Sequence, residues 1–155
     1  MSRSLSAVCY HECSHAAVCL RFGVDVRLVS CVPSTSPDGE SRAGHIEFAN
    51  AAPEATIAIA LAGRIGEAMY LRRTAPDLDE EDSDIRMARR EAQRIDPRRV
   101  GQLLRHGQQQ AQGLLRECDV WRIVTAMAWE LEIAKRLTGE DVERIAADVL
   151  QLSLD

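Results

Sequence analysis

The stretch Tyr10-His11-Glu12-Cys13-Ser14-His15-Ala16-Ala17-Val18 decides how this chain is read. It sits inside a longer segment, about residues 4–22. There Val8, His11, Glu12, His15, Val18, Cys19 and Phe22 share one broad face at ~100° per residue, which predicts a helix stopped by Gly23. On a helix, residues four apart lie ~40° from one another, so the imidazoles of His11 and His15 can reach one metal ion. Glu12 lies ~100° from His11, on the flank of that face, where it can reach a water at the metal without being a ligand. Two neutral imidazoles and one carboxylate leave a fourth tetrahedral position open, as a hydrolytic zinc site requires. The same phase turns Cys13 (~200° from His11) and Cys9 (~160°) away from the metal. Cys19 lies two turns along and is expected to pack.

Outward from the motif, Val26–Val32 (VRLVSCV) is rich in β-branched residues and reads as a strand. Residues 33–44 (PSTSPDGESRAG) have loop chemistry throughout, and HIEF, His45–Phe48, can return as a hairpin partner of the strand. From Pro53 to Leu71 the chain is helical again and apolar nearly all round, which predicts a buried, central helix. Gly63 and Gly66 weaken that helix and imply that another backbone packs closely there. An acidic loop, TAPDLDEED (Thr74–Asp82), leads to a helix over Ser83–Ile95, broken by Asp96-Pro97. Further helices are expected over about 97–117, 119–136 and 139–151, the last opened by a capping box at Thr138-Gly-Glu-Asp141. The expected fold is a single α+β domain over 1–155, mainly helical. A small sheet lies beside the motif helix, and a helical region closes the C-terminal end.

Composition bounds the function. The chain has 155 residues, 46% apolar and 28% charged, an ordinary globular balance in a length that suits one domain. Aromatics are 4%, so Ala, Leu, Ile and Val must build the core. A net charge of −5 does not favour a nucleic-acid partner, although Arg98, Arg99 and Arg105 form a local basic patch. No apolar run approaches the roughly 18 residues of a membrane span, and the N-terminus lacks the apolar core of a secretory signal, so a cytoplasmic location is expected. The five cysteines contain no CxxC pair and read as small buried hydrophobes in a reducing compartment.

A third metal ligand must come from outside the motif helix. The downstream carboxylates are Glu47, Glu54, Glu67, Asp77, Asp79, Glu80, Glu81, Asp82, Asp84 and Glu91. Glu67 is one of two charged residues in TIAIALAGRIGEAMYL, and a buried carboxylate needs a partner. That partner can be the metal, Arg64 at i−3, or a ligating histidine. Asp84 lies within ~60° of the centre of the stripe Ile85, Ala88, Ala92 and Ile95, so it faces inward, where it serves as a ligand or as a helix N-terminal acid. Residue physics leaves Asp84 and Glu67 level.

Several blocks, in order, resemble the zinc peptidase domain of the FtsH-type, membrane-anchored AAA+ proteases. YHECSHAAV resembles the family's HEAGHA block, VRLVSCVP the strand that follows, and GHIEF a short strand with a Gly-x-x-x-aromatic segment. IALAGRIGEAMY resembles the buried helix with Gly-Arg-x-x-Glu, SDIRMARREAQ the Asn-Asp-Leu helix, and LTGEDVERI part of the closing helices. The resemblance covers about residues 7–150. It implies a zinc metalloendopeptidase in which His11, His15 and Asp84 bind Zn2+, Glu12 is the catalytic base and Glu67 is a support residue. The chain departs from that pattern in Cys13-Ser14, which replaces the usual Ala-Gly, and in Ser83, which replaces Asn. It carries no ATPase sequence and no membrane segment, so the expected substrate is a short or unfolded polypeptide, or one delivered by a separate unfoldase or adaptor. A homo-oligomer is compatible with the resemblance. The competing expectation is a zinc-binding pseudo-peptidase or interaction module without activity.

Overall fold

A computed structural model describes residues 3–75, 77, 78 and 82–154. Of the acidic segment, residues 76 and 79–81, with the candidate carboxylates Asp79, Glu80 and Glu81, lie outside the described residues.

Helix α1 (Leu5–Arg21) starts where the Ser4 hydroxyl accepts a hydrogen bond from the Ala7 N–H at 3.1 Å. Helix α2 (Pro53–Leu71) begins on Pro53, whose missing N–H costs nothing in a first turn, and ends at Arg72 in the left-handed conformation, φ 53°. Helix α3 (Ser83–Ile95) is capped by Asp82, which accepts the Ile85 N–H at 2.8 Å. Helices α4 (Val100–Leu115), α5 (Cys118–Ala134) and α6 (Gly139–Leu154) complete the helical part. The capping box forms as expected. Thr138 N–H donates to Asp141 Oδ2 at 2.9 Å, and Asp141 N–H donates to Thr138 Oγ1 at 3.1 Å.

The core forms around α2, because that helix has no polar stripe to show to water. Every residue from Ile57 to Gly66 is buried, and α1, α3 and α4 pack around it. Ile57, Ile59, Leu61 and Ile65 are fully enclosed, each contributing roughly 1.5–3 kcal/mol of burial free energy. Val18, Val29, Leu115, Val124, Met127, Leu131 and Val142 extend the same core through α1, the sheet and the C-terminal helices.

The expected strand pair is present, and it is part of a larger sheet. Strand β1 (Val26–Ser30) pairs antiparallel with β4 (His45–Phe48), with Val29 opposite Ile46 and Ser30 opposite His45. On its other side β1 pairs with β5 (Arg136–Thr138), giving the order β4-β1-β5. The expectation that residues up to 136 continue a helix is corrected here: α5 stops at Lys135, φ 71°, and the chain turns into β5 because Leu137 pairs with buried Val29. The 33–44 loop carries a two-stranded ribbon, β2 (Ser34–Thr35) with β3 (Ser41–Arg42).

Four of the five cysteines are buried, and burial pushes the Cys9 and Cys19 thiols up to about 12, so they act as small apolar side chains. Cys118 is exposed at the start of α5, against expectation. Among the described residues no helix is long and apolar enough to cross a membrane.

Candidate metal centre

The helical phase of α1 carries through to atoms. His11 and His15 stand one turn apart with ring centroids 4.9 Å apart and rings inclined at 74°. Their Nε2 atoms converge on Asp84 Oδ2, at 2.8 Å from His11 and 3.2 Å from His15. Asp84 arrives from the first turn of α3, inward-facing as its position in the apolar stripe requires. These three residues form a group whose ligand atoms all lie within 4.8 Å of one another and that could hold a metal ion.

The opposite edges of both rings are tied down by α2. His15 Nδ1 lies 2.6 Å from the Ile59 carbonyl. A carbonyl only accepts, so the proton sits on Nδ1 and the Nε2 lone pair of neutral His15 faces the site. His11 Nδ1 lies 3.0 Å from Glu67 Oε1, with the same consequence. Of the three partners open to Glu67, it takes the histidine, and the Arg3 guanidinium pairs with the same oxygen. Arg64, the alternative partner, donates to the Asp77 carbonyl at 2.9 Å and lies 3.7 Å from Asp82 Oδ2, which ties α2 to the approach to α3.

At Gly63 and Gly66 on α2 no side chain fits. A methyl group at Gly63 would land on His15 Nε2 and within 2.6 Å of His11 Nε2. At Gly66 a methyl group would fall on the Ser14 hydroxyl, which donates to the Tyr10 carbonyl at 2.6 Å. The serine within the motif is thus accommodated by a glycine on the facing helix. The close approach expected from the two glycines is made by α1 side chains rather than by another backbone.

The charges are tightly linked. Burial works against a charged His11, but hydrogen bonds to Asp84 and Glu67 outweigh it and raise the imidazole to about 10. His15 is raised in the same way, against burial, by the Asp84 charge. Burial would raise Asp84, yet the two imidazoles hold it well below the usual carboxylate range. Glu67 is lowered against burial by His11 and Arg3. Glu12 goes the other way: buried behind His11 and His15, it is raised by loss of water. Its carboxylate takes no hydrogen bond from any described residue.

A cleft of about 470 Å³ opens over the group. One wall is the 38–48 segment, including edge strand β4, and the other is α3, with Ser83, Met87 and Arg90. His11, Glu12, His15 and Asp84 form its floor.

The donor chemistry fits a divalent cation. Two imidazole nitrogens with fixed tautomers and one carboxylate oxygen converge, and the histidines' second nitrogens are held by a carboxylate and a carbonyl, as ligating histidines usually are. The sequence, with the resemblance for Asp84, named His11, His15, Asp84 and Glu12, and the structure brings all four to one place. Sequence reasoning missed the Ile59 carbonyl and Arg3. A backbone acceptor has no sequence code, and an arginine next to the N-terminus carries no pattern.

No protein-family model matches the chain, and no curated protein matches it either.

Proposed function

We propose that this chain is a zinc-dependent metallopeptidase that hydrolyses peptide bonds in short or unfolded polypeptides. The observation that carries the reading is the convergence of His11 Nε2, His15 Nε2 and Asp84 Oδ2 at the floor of a cleft that Glu12 also lines. His11, His15 and Asp84 would hold the zinc, which supplies Lewis acidity toward a peptide carbonyl and toward water. Glu12 takes the proton from the attacking water and delivers it to the departing amine nitrogen. Its raised pKa makes it a stronger base than an ordinary glutamate, and no hydrogen bond from any described residue competes for its oxygens in either transfer. Glu67 and the Ile59 carbonyl keep both Nε2 lone pairs turned to the site. β4 is the edge of its sheet and lines the cleft, so its outward backbone groups can receive an extended peptide as an added strand.

The free, buried thiols support a cytoplasmic setting. A stable folded protein offers an extended segment only during rare local opening, so a partner unfoldase or adaptor would widen the substrate range. The test is hydrolysis of a quenched unstructured peptide and of a tightly folded protein, with and without chelator. Cleavage of the peptide alone, abolished by chelator, is expected. Equal rates on a folded protein and its denatured form would contradict the proposal. Zinc bound without hydrolysis of any unstructured peptide would favour a zinc-binding interaction module.

A further inference from the structure

Four arginines and five carboxylates line the cleft, and they are not evenly paired. Between Arg86 and Arg105 the sequence holds seven arginines against two carboxylates, in a chain whose net charge is −5. Within the cleft most charges are already matched. Arg86 reaches both oxygens of Glu40, at 2.6 and 2.7 Å, and Arg3 pairs with Glu67. Asp38 is bound by the Ser36 hydroxyl and faces Arg42, and Asp82 caps α3. Arg42 and Arg90 both line the cleft, are exposed, and form no side-chain hydrogen bond or ion pair with any described residue; Arg42 faces Asp38, which leaves Arg90 as the unpaired cation on α3 among the described residues. Its neighbours on α3 do not neutralise it, because Glu91 is engaged by Arg94 at 3.3 Å.

Position adds a distance. Ser83, Met87 and Arg90, spaced by four and three residues, form one stripe of α3 on the cleft. Arg90 stands six residues beyond Asp84, or about 9 Å along the helix axis. An extended peptide advances about 3.3 Å per residue, so this interval is roughly three residues of substrate.

We propose that Arg90 makes the cleft select an acidic side chain about three residues from the substrate residue at the metal centre. This rests on the peptidase reading for the peptide's path through the cleft. The Arg90 guanidinium, without a partner among the described residues, binds the carboxylate and disfavours a basic side chain at the same place.

The test is binding, read by fluorescence anisotropy with the zinc-loaded Glu12→Gln variant so that no probe is consumed. The probes are labelled ten-residue peptides with Asp, Asn or Lys placed three residues to either side of a central apolar residue. An Asp peptide should bind about fivefold more tightly than its Lys counterpart in dilute salt, and the gap should close in 0.5 M salt, where the screening length is only a few ångströms. Adding Arg90→Glu should reverse the order. Adding Arg105→Glu, the same charge change on α4 outside the cleft, should leave the order intact. Equal affinities, loss of the preference in both charge variants, or stronger competition from an oligonucleotide than from the acidic peptide would overturn the proposal. Failure of the peptidase reading looks different: the wild type would cleave none of the peptides while the Arg90-dependent preference persisted.

Discussion

Helix α2 reaches the histidines of α1 with its backbone and one carboxylate, whereas α3 reaches them with a single aspartate at its first turn. From α2 come the Ile59 carbonyl, the bare Cα of Gly63 and the Glu67 carboxylate, all from a helix buried at its middle on every side. From α3 comes Asp84, on a helix whose buried residues are only Ile85, Ala88 and Ala92 and whose other faces carry arginines to the solvent and the cleft. One helix sets the orientation of the ligands and cannot change without disturbing the core. On the proposed reading, the other would complete the donor set and border the space for a substrate. Damage to α2 should therefore cost stability and metal together, and damage to α3 should cost metal or substrate with the fold retained.

The largest effect should come from Gly63→Ala. Its methyl group would collide with the Nε2 atoms of both His11 and His15, the proposed ligands, so zinc binding should be lost. Overpacking at this buried site should cost about 1–3 kcal/mol or more of unfolding free energy, read by denaturant titration of the metal-free protein. A variant that keeps stoichiometric zinc and normal stability would break the contrast between the helices.

Next come the two carboxylates. Asp84→Ala removes a donor atom and should abolish stoichiometric zinc binding while moving the metal-free melting temperature far less than Gly63→Ala does. Glu67→Gln keeps the size of the side chain but weakens the hold on His11 Nδ1, and should reduce zinc affinity about 10–100-fold by competition titration. Full zinc in folded Asp84→Ala, with loss in Glu67→Gln, would exchange the roles of the two helices.

A smaller effect is expected from pH. Without metal, His11 is raised from its ordinary 6.5 to about 10, and His15 is raised as well. A raised folded-state pKa means that this contribution to stability is complete below about 6.5 and is lost as pH climbs toward 10. Zinc needs the same Nε2 atoms free of protons. Metal-free protein should therefore lose stability from pH 6 to pH 9, while the rise in melting temperature caused by zinc grows. A zinc-induced rise that shrinks with pH would contradict the ligand assignment.

Much of this contrast is legible in the sequence. The apolar run after Pro53 marks α2 as central, and the stripe around Ile85 turns Asp84 inward. Helical phase alone brings His11 and His15 to one point, with Glu12 at its side. The unread parts depend on tertiary partners. β5 is three residues long with one buried side chain, and it is a strand because β1 offers it an edge. Glu67 has three plausible partners until α1 is docked against α2, and only then does His11 Nδ1 come within 3.0 Å.

The most direct test of the central claim is the rate of peptide hydrolysis by wild-type protein and by Glu12→Gln, compared at equal, measured zinc content. Positioned proton transfer contributes about 10²–10⁴ in rate, so Glu12→Gln should bind one zinc per chain, fold normally and lose at least about a hundredfold in activity. Equal rates from the two zinc-loaded proteins would contradict the assignment of Glu12 as the base, and with it the reading of this cleft as a peptidase site.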